Sequence, residues 1–251
     1  MILLVYGFLN IANSQLWVSF SPISDLTEDF FGHWGGASAV NMLAVTYSIM
    51  YLPGTVLGAV SIKSMDIRGA LLLAGALTVA GSFIRGLGVS LISYIGPVGA
   101  YLITIVGQAI AALGQPLFMN IPAALASTWF AIDERDIATS VASMCNPLGN
   151  AIGQILPSIF VMRRGGGDDD DSTTIVGMLL LMIVQCAWAL LGLLLAYLFF
   201  DAAPPTPPSA STQLRQGIRI LNRKTDISSA TIVKENRRTS KMTEEDLLTV
   251  K

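Results

Sequence analysis

Acid–base and nucleophilic equipment is what this chain most plainly lacks. One histidine, His33, occurs in 251 residues. There is no HExxH pair, no serine–histidine arrangement and no glycine-rich phosphate loop, so metal-assisted hydrolysis, acyl transfer and nucleotide chemistry have nothing to work with. Charge is also scarce: Asp, Glu, Lys and Arg make up 13% of the residues, about half the share usual in soluble domains. With a net charge of −2, the chain has no broad basic surface to offer nucleic acid. Its two cysteines, Cys145 and Cys186, both fall inside apolar runs and suggest neither a disulfide framework nor a metal site. No cofactor is implied.

What the chain has is apolar length. Apolar residues make up 53% of it, and its mean hydropathy is +0.62. Windows near the ~20 residues needed to cross a bilayer core recur, at about 1–20, 39–61, 69–90, 97–124, 137–162 and 174–200. They are apolar on nearly every side, whereas helices of a soluble core keep a polar face. The reading is an all-α, polytopic membrane protein with a six-helix bundle over 1–200. The first window has no preceding basic segment and no cleavage-site pattern, so it reads as a span and not as a signal peptide.

Basic residues orient the chain. Loop 62–68 holds Lys63 and Arg68, loop 131–136 holds Arg135, and the segment after residue 200 carries nine of the 15 basic residues. Loop 21–38 has Asp25, Glu28 and Asp29 but neither Lys nor Arg. The N-terminus and the tail are therefore expected in the cytosol, against only Arg163 and Arg164, which the acidic run at 168–171 follows. His33, beside Trp34, reads as an interfacial residue. Arg85, near the outer end of the third window, is expected to reach outward to water. Residues 201–251 open on a proline-rich stretch and continue as a mixed-charge segment too poor in apolar residues to form a core, which predicts a disordered cytoplasmic loop or tail. Within it "LRQGIRILNRK" could lie on an anionic leaflet, or serve as a plain solvated linker.

One membrane segment is conspicuously polar. "CNPLGNAIGQILP" (145–157) places three amides, two glycines and two prolines where lipid satisfies no hydrogen bond. Asn146, Asn150 and Gln154 are spaced i, i+4, i+8, which predicts one stripe. Gly149 and Gly153 mark a close-packing face, and Pro147 and Pro157 are expected to kink the helix. Asn10, Asn13, Ser14, Gln15 and Trp17 in the first window and Gln108, Gln115 and Asn120 in the fourth add to the polar set. Such amides either tie helices together or line a wet cavity for a solute. Trp17 reads equally as an interfacial anchor or as a cation–π face for an ammonium group.

"LWVSFSPISDLTEDFFG" (16–32), "VTYSIMYLPGTVLG" (45–58), "GQAIAALGQPLFMNIPAALASTWF" (107–130) and "ERDIATSVASMCNPLGNAIGQILP" (134–157) resemble the N-terminal half of solute carrier family 49. This is the feline leukaemia virus subgroup C receptor-related branch of the major facilitator superfamily. The resemblance implies a six-helix half of a twelve-helix carrier working by alternating access on a small polar or cationic solute such as choline or ethanolamine. It implies a plasma-membrane setting and a second six-helix bundle as partner. It carries a solute-caging role to Trp17 and cavity-lining roles to Gln115 and Asn146, and Asn13 and Asn150 join them as candidate solute contacts. "GAVSIKSMDIRG" (58–69) departs from the superfamily's usual loop, with Lys63 near the expected acid. Two other functions are weighed: a truncated, non-transporting decoy or scaffold, and a haem carrier. The latter is disfavoured because no membrane histidine could ligate iron.

Overall fold

The computed structural model describes residues 1–32, 35–161, 171–201 and 204, with the side chains of 171–173 left aside. His33, Trp34, Arg163, Arg164, the acidic residues 168–170 and nearly all of the tail lie outside the described residues. The chain divides into two units, Met1–Ala203 and Pro204–Lys251, and the described helices all lie in the first. Among the described residues every regular element is helical. They are α1 (Ile2–Val18), a 3₁₀ turn at Ser21–Ile23, α2 (Ser24–Phe30), α3 (Gly36–Ser90), α4 (Ile92–Trp129), α5 (Arg135–Phe160) and α6 (Asp171–Phe199).

A straight helix of the 55 residues in α3 would run about 80 Å, well over twice a bilayer core. It is broken at Asp66, where φ is 67° and ψ 172°. This is the one non-glycine residue with positive φ among those described, in a region of backbone space that glycine almost alone adopts. The expected loop at 62–68 is thus mostly helix, with the reversal concentrated at one residue. Contacts at glycines fix the directions on either side of the break. Gly54 abuts Leu113 and Pro116 of α4 and Gly58 abuts Leu117, so 36–65 runs parallel to α4. Gly88 meets Ala100 and Thr104, and Gly81 meets Gly107 and Ala111, so 67–90 runs antiparallel to it. A second break, at Gly96 with φ 75°, separates the first turn of α4 from its long apolar part.

α1 and α5 run side by side in one direction: Gly7 lies against Cys145, Gly149 against Ile11 and Ser14, and Gly153 against the backbone of Gln15. The seam advances four residues at a time on both helices, as small residues spaced i, i+4 require for close backbone approach. α6 is antiparallel to the second half of α3, since Gly86 faces Met182 and Gly75 faces Leu193. Six rods therefore alternate in direction: α1, 36–65, 67–90, the long part of α4, α5 and α6.

By length and composition, four helical stretches can cross a membrane: Ile2–Phe30, Gly36–Ser90, Ile92–Trp129 and Thr174–Phe199. The second of these contains both rods of α3. α5 is not among them, because its amides and glycines dilute its apolar content. It runs helical through Pro147 and Pro157 without a backbone break. The core sits around α1, where Tyr6, Leu9, Leu71, Ala74, Leu117 and Phe118 are fully buried.

Candidate functional site

α1 carries most of the interior polar groups because its polar residues share an arc. At 3.6 residues per turn, Tyr6, Asn10, Asn13, Ser14 and Trp17 fall within about a third of its circumference, and α3, α4 and α5 close over that arc. Asn13 is fully buried. Its Nδ2 donates to Thr78 Oγ1 at 2.9 Å and to the Ala111 carbonyl at 3.0 Å, which ties α1 to α3 and α4. Asn146 donates from Nδ2 to Ser14 Oγ at 2.7 Å. Ser14 Oγ lies 3.3 Å from Asn10 Oδ1. Asn10 Nδ2 donates to the Tyr6 hydroxyl, which itself donates to the Phe118 carbonyl. One chain of hydrogen bonds thus runs from α5 through α1 to α4.

Trp17 is half-buried. Its indole Nε1 donates to the Ala44 carbonyl at 3.1 Å, and its ring stacks on Tyr47 with centroids 6.1 Å apart and planes 17° apart. Gln115 follows Gly114, where a Cβ would lie 3.5 Å from Asn13 Nδ2, so it stands at the depth of Asn13. It is 4% exposed, and its Oε1 has no hydrogen-bond partner. Asn150 is half-buried, with Oδ1 likewise unpartnered. Gln108 commits its Nε2 to the carbonyls of Leu16 and Leu43.

The structure sorts the predicted residues into two kinds. Asn13 and Asn146 are committed to neighbouring helices, the tying role of membrane amides. Trp17 keeps a partly accessible ring, and Gln115 and Asn150 keep open acceptors. The expected stripe of three amides does not hold together: Asn146 is buried, Asn150 half-buried and Gln154 exposed. Asn146 is covered by α1 through Ser14, and the two later amides are progressively less covered. Asn120 is exposed as well.

Arg85 corrects the sequence reading outright. It does not reach outward: it is 0% exposed, donates from Nη2 to Ser19 Oγ at 2.7 Å and lies 4.8 Å above the Phe20 ring centroid. Ser19 and Phe20 close the end of α1 over it. Gln185, at 0% exposure in α6, was missed because one amide in a long apolar run gives no periodic signal.

The Asn13 contacts set up a direct test. Asn13→Ala removes two interhelical hydrogen bonds and should destabilise the detergent-solubilised bundle by roughly 1–2 kcal/mol. That is about 2–8 °C in the unfolding midpoint for a chain of this size. An unchanged midpoint would show that the amide does not tie the helices.

Fold and site together define a multi-pass helical membrane protein whose polar groups meet inside the bundle. The chain belongs to the Major Facilitator Superfamily, a superfamily of transporters, whose family profile matches residues 3–242. It is 32% identical to solute carrier family 49 member A3 of Xenopus tropicalis over 212 residues, covering 82% of this chain and 41% of that protein. It is 30% identical to the choline/ethanolamine transporter FLVCR2 of Homo sapiens over 213 residues, covering 85% of this chain and 38% of that protein. It is 26% identical to the choline/ethanolamine transporter FLVCR1 of Mus musculus over 162 residues, covering 64% and 27%. The chain spans about two fifths of the length of the first of these relatives.

Proposed function

We propose that this chain is one six-span bundle of a carrier for a small polar or cationic organic solute of the choline or ethanolamine type, moved by alternating access. All six rods cross the bilayer in this reading, with the N-terminus and the tail on the cytoplasmic side of the plasma membrane. The observation that carries it is Trp17 itself, a half-buried indole stacked on Tyr47; unpartnered amide acceptors on Gln115 and Asn150 of the neighbouring helices, and no carboxylate among the residues named for the site, support it. An aromatic face holds an alkylammonium by its quadrupole. A neutral amide oxygen accepts from the solute's hydroxyl or ammonium hydrogens. Without a fixed negative charge the cation binds weakly enough to leave again.

Exposed apolar stripes at Met42, Val45, Ile49, Leu52 and Val56 of α3 and at Ile137, Val141, Met144 and Leu148 of α5 suit lipid or a second six-helix bundle. In this reading that bundle supplies the opposite wall. A solute shifts the balance of inward-open and outward-open forms only by its difference in affinity for the two.

The test is uptake of radiolabelled choline and ethanolamine by cells expressing the chain together with the remaining bundle of a family 49 relative. Saturable uptake, with each solute competing against the other, is the expected result. Uptake no greater than in cells without the chain would overturn the assignment.

A further inference from the structure

Behind α1, on the side away from Trp17, lies a second polar cluster that the carrier reading does not use. Arg85 Nε and Nη1 have no hydrogen-bond partner, and neither do Nε2 or Oε1 of Gln15 and Gln185. All three residues are 0% exposed. Arg85 makes no ion pair among the described residues; its side-chain hydrogen bond goes to Ser19 and its guanidinium lies over the Phe20 ring. A guanidinium does not shed its proton, and a buried charge without compensation is among the most destabilising things a protein can hold. Among the described residues, the side chains set against it, Ser19, Phe20 and Tyr47, carry no carboxylate, and the acids of α2, Asp25, Glu28 and Asp29, form no ion pair with it.

The helix register brings the three side chains to one depth. Gln15 precedes Ser19 by one turn on α1, so the two share a face, and Ser19 Oγ is the group that Arg85 holds at 2.7 Å. Along the antiparallel pair of α3 and α6, Gly86 faces Met182 and Gly75 faces Leu193. That register sets Gln185 opposite residues 82–83, one turn from Arg85. The backbone of Gln15 is pressed against Gly153 of α5, and around α1 it stands about 40° from Ser19. The cluster therefore combines two unpartnered guanidinium nitrogens and two amide NH₂ groups around one positive charge that the Phe20 ring faces.

We propose that Arg85, Gln15 and Gln185 form a binding site for a small inorganic monovalent anion, chloride or bromide, inside the bundle between α1, α3 and α6. Unpartnered donors from three helices stand at one depth, beside a guanidinium that makes no ion pair among the described residues. The anion neutralises Arg85 and fastens the outer end of α1 to α3 and α6. It stands apart from the solute contacts at Trp17, so loss of solute binding and loss of anion binding are separable results.

The test is thermal unfolding of the purified chain in detergent, titrated with sodium chloride or sodium bromide against sodium gluconate at equal ionic strength. At a halide concentration ten times the dissociation constant, the midpoint should stand roughly 3–6 °C above that in gluconate, and it should go on rising with the logarithm of halide concentration. Gln185→Leu and Gln15→Leu, which keep Arg85 in place, should each weaken the halide dependence about tenfold. Arg85→Met should abolish it. If Arg85→Met does not fold, the two glutamine variants decide the matter alone. Equal midpoints in chloride and gluconate would overturn the site and leave a cluster satisfied by water and its own amides. A halide effect unchanged in both glutamine variants would overturn it too, by placing the anion elsewhere.

Discussion

Exchanging Gly81 for leucine should leave no natively packed bundle to purify. A Cβ at that position would lie 2.5 Å from the Ala111 amide nitrogen and 2.5 Å from the Gly107 carbonyl oxygen, closer than non-bonded carbon approaches either atom. Those are backbone atoms of α4, so no side chain can turn aside. The contact is also reciprocal, because a Cβ on Gly107 would stand 2.7 Å from Arg85 N and from Gly81 O. α3 and α4, the most extensively packed pair in the bundle, would have to separate along the seam. Overpacking of a core commonly costs about 1–3 kcal/mol, and an obstruction made of main chain on both sides should exceed that range. Size-exclusion profile and unfolding midpoint are the readouts. Gly86→Ala is the control, since its Cβ would find only Met182 Cβ at 3.6 Å, an ordinary contact, and its midpoint should hardly move. A monodisperse Gly81→Leu protein with an ordinary midpoint would mean that these helices do not pack as described.

The second large effect concerns binding. Trp17→Ala should weaken choline uptake about tenfold or more, given ~1–2 kcal/mol for a desolvated cation–π contact. Trp17→Phe, which keeps an aromatic face but loses the bond to the Ala44 carbonyl, should retain much of the affinity. The pair of variants separates the ring's two jobs. If the indole mattered only as an anchor for α1 against α3, both changes would lower the unfolding midpoint and leave solute affinity alike. Equal uptake by the wild-type and Trp17→Ala proteins would rule out the ammonium cage.

The helical, membrane-spanning class was legible because apolar residues surround most segments, whereas a helix at the surface of a soluble domain keeps one face polar. The seam of α1 and α5 was legible too: Gly149 and Gly153 at i, i+4 announce a surface where backbones meet, and Ile11 and Gln15 meet them there. Three features were not. The amide stripe of α5 does not share one environment: spacing places the three amides near one another on the helix, but a neighbour covers Asn146 through Ser14 while Gln154 is exposed. The reversal between the two halves of α3 looked like a loop, since nothing about Asp66 in isolation tells that it alone would take the turn. Arg85 was misread because its distance from the end of a segment suggested an escape to water, whereas Ser19 and Phe20 of another helix cover it. Which neighbour covers a residue is tertiary information that no single helix carries. The same limit divided the candidate contacts: Asn13 and Trp17 lie one turn apart on the same arc, yet one is held by Thr78 and Ala111 while the other keeps an accessible ring.

The glycine ladder between α1 and α5 also bears on motion. Interlocked leucines act as cogs, and displacing one helix past another means lifting each tooth from its socket. Where Gly149 and Gly153 meet the main chain of α1 and Gly7 meets only the Cys145 side chain, the teeth are few, and the Asn146–Ser14 hydrogen bond fastens the pair. Such a seam resists separation of the two helices more than it resists a lengthwise stroke of α5 along the axis of α1.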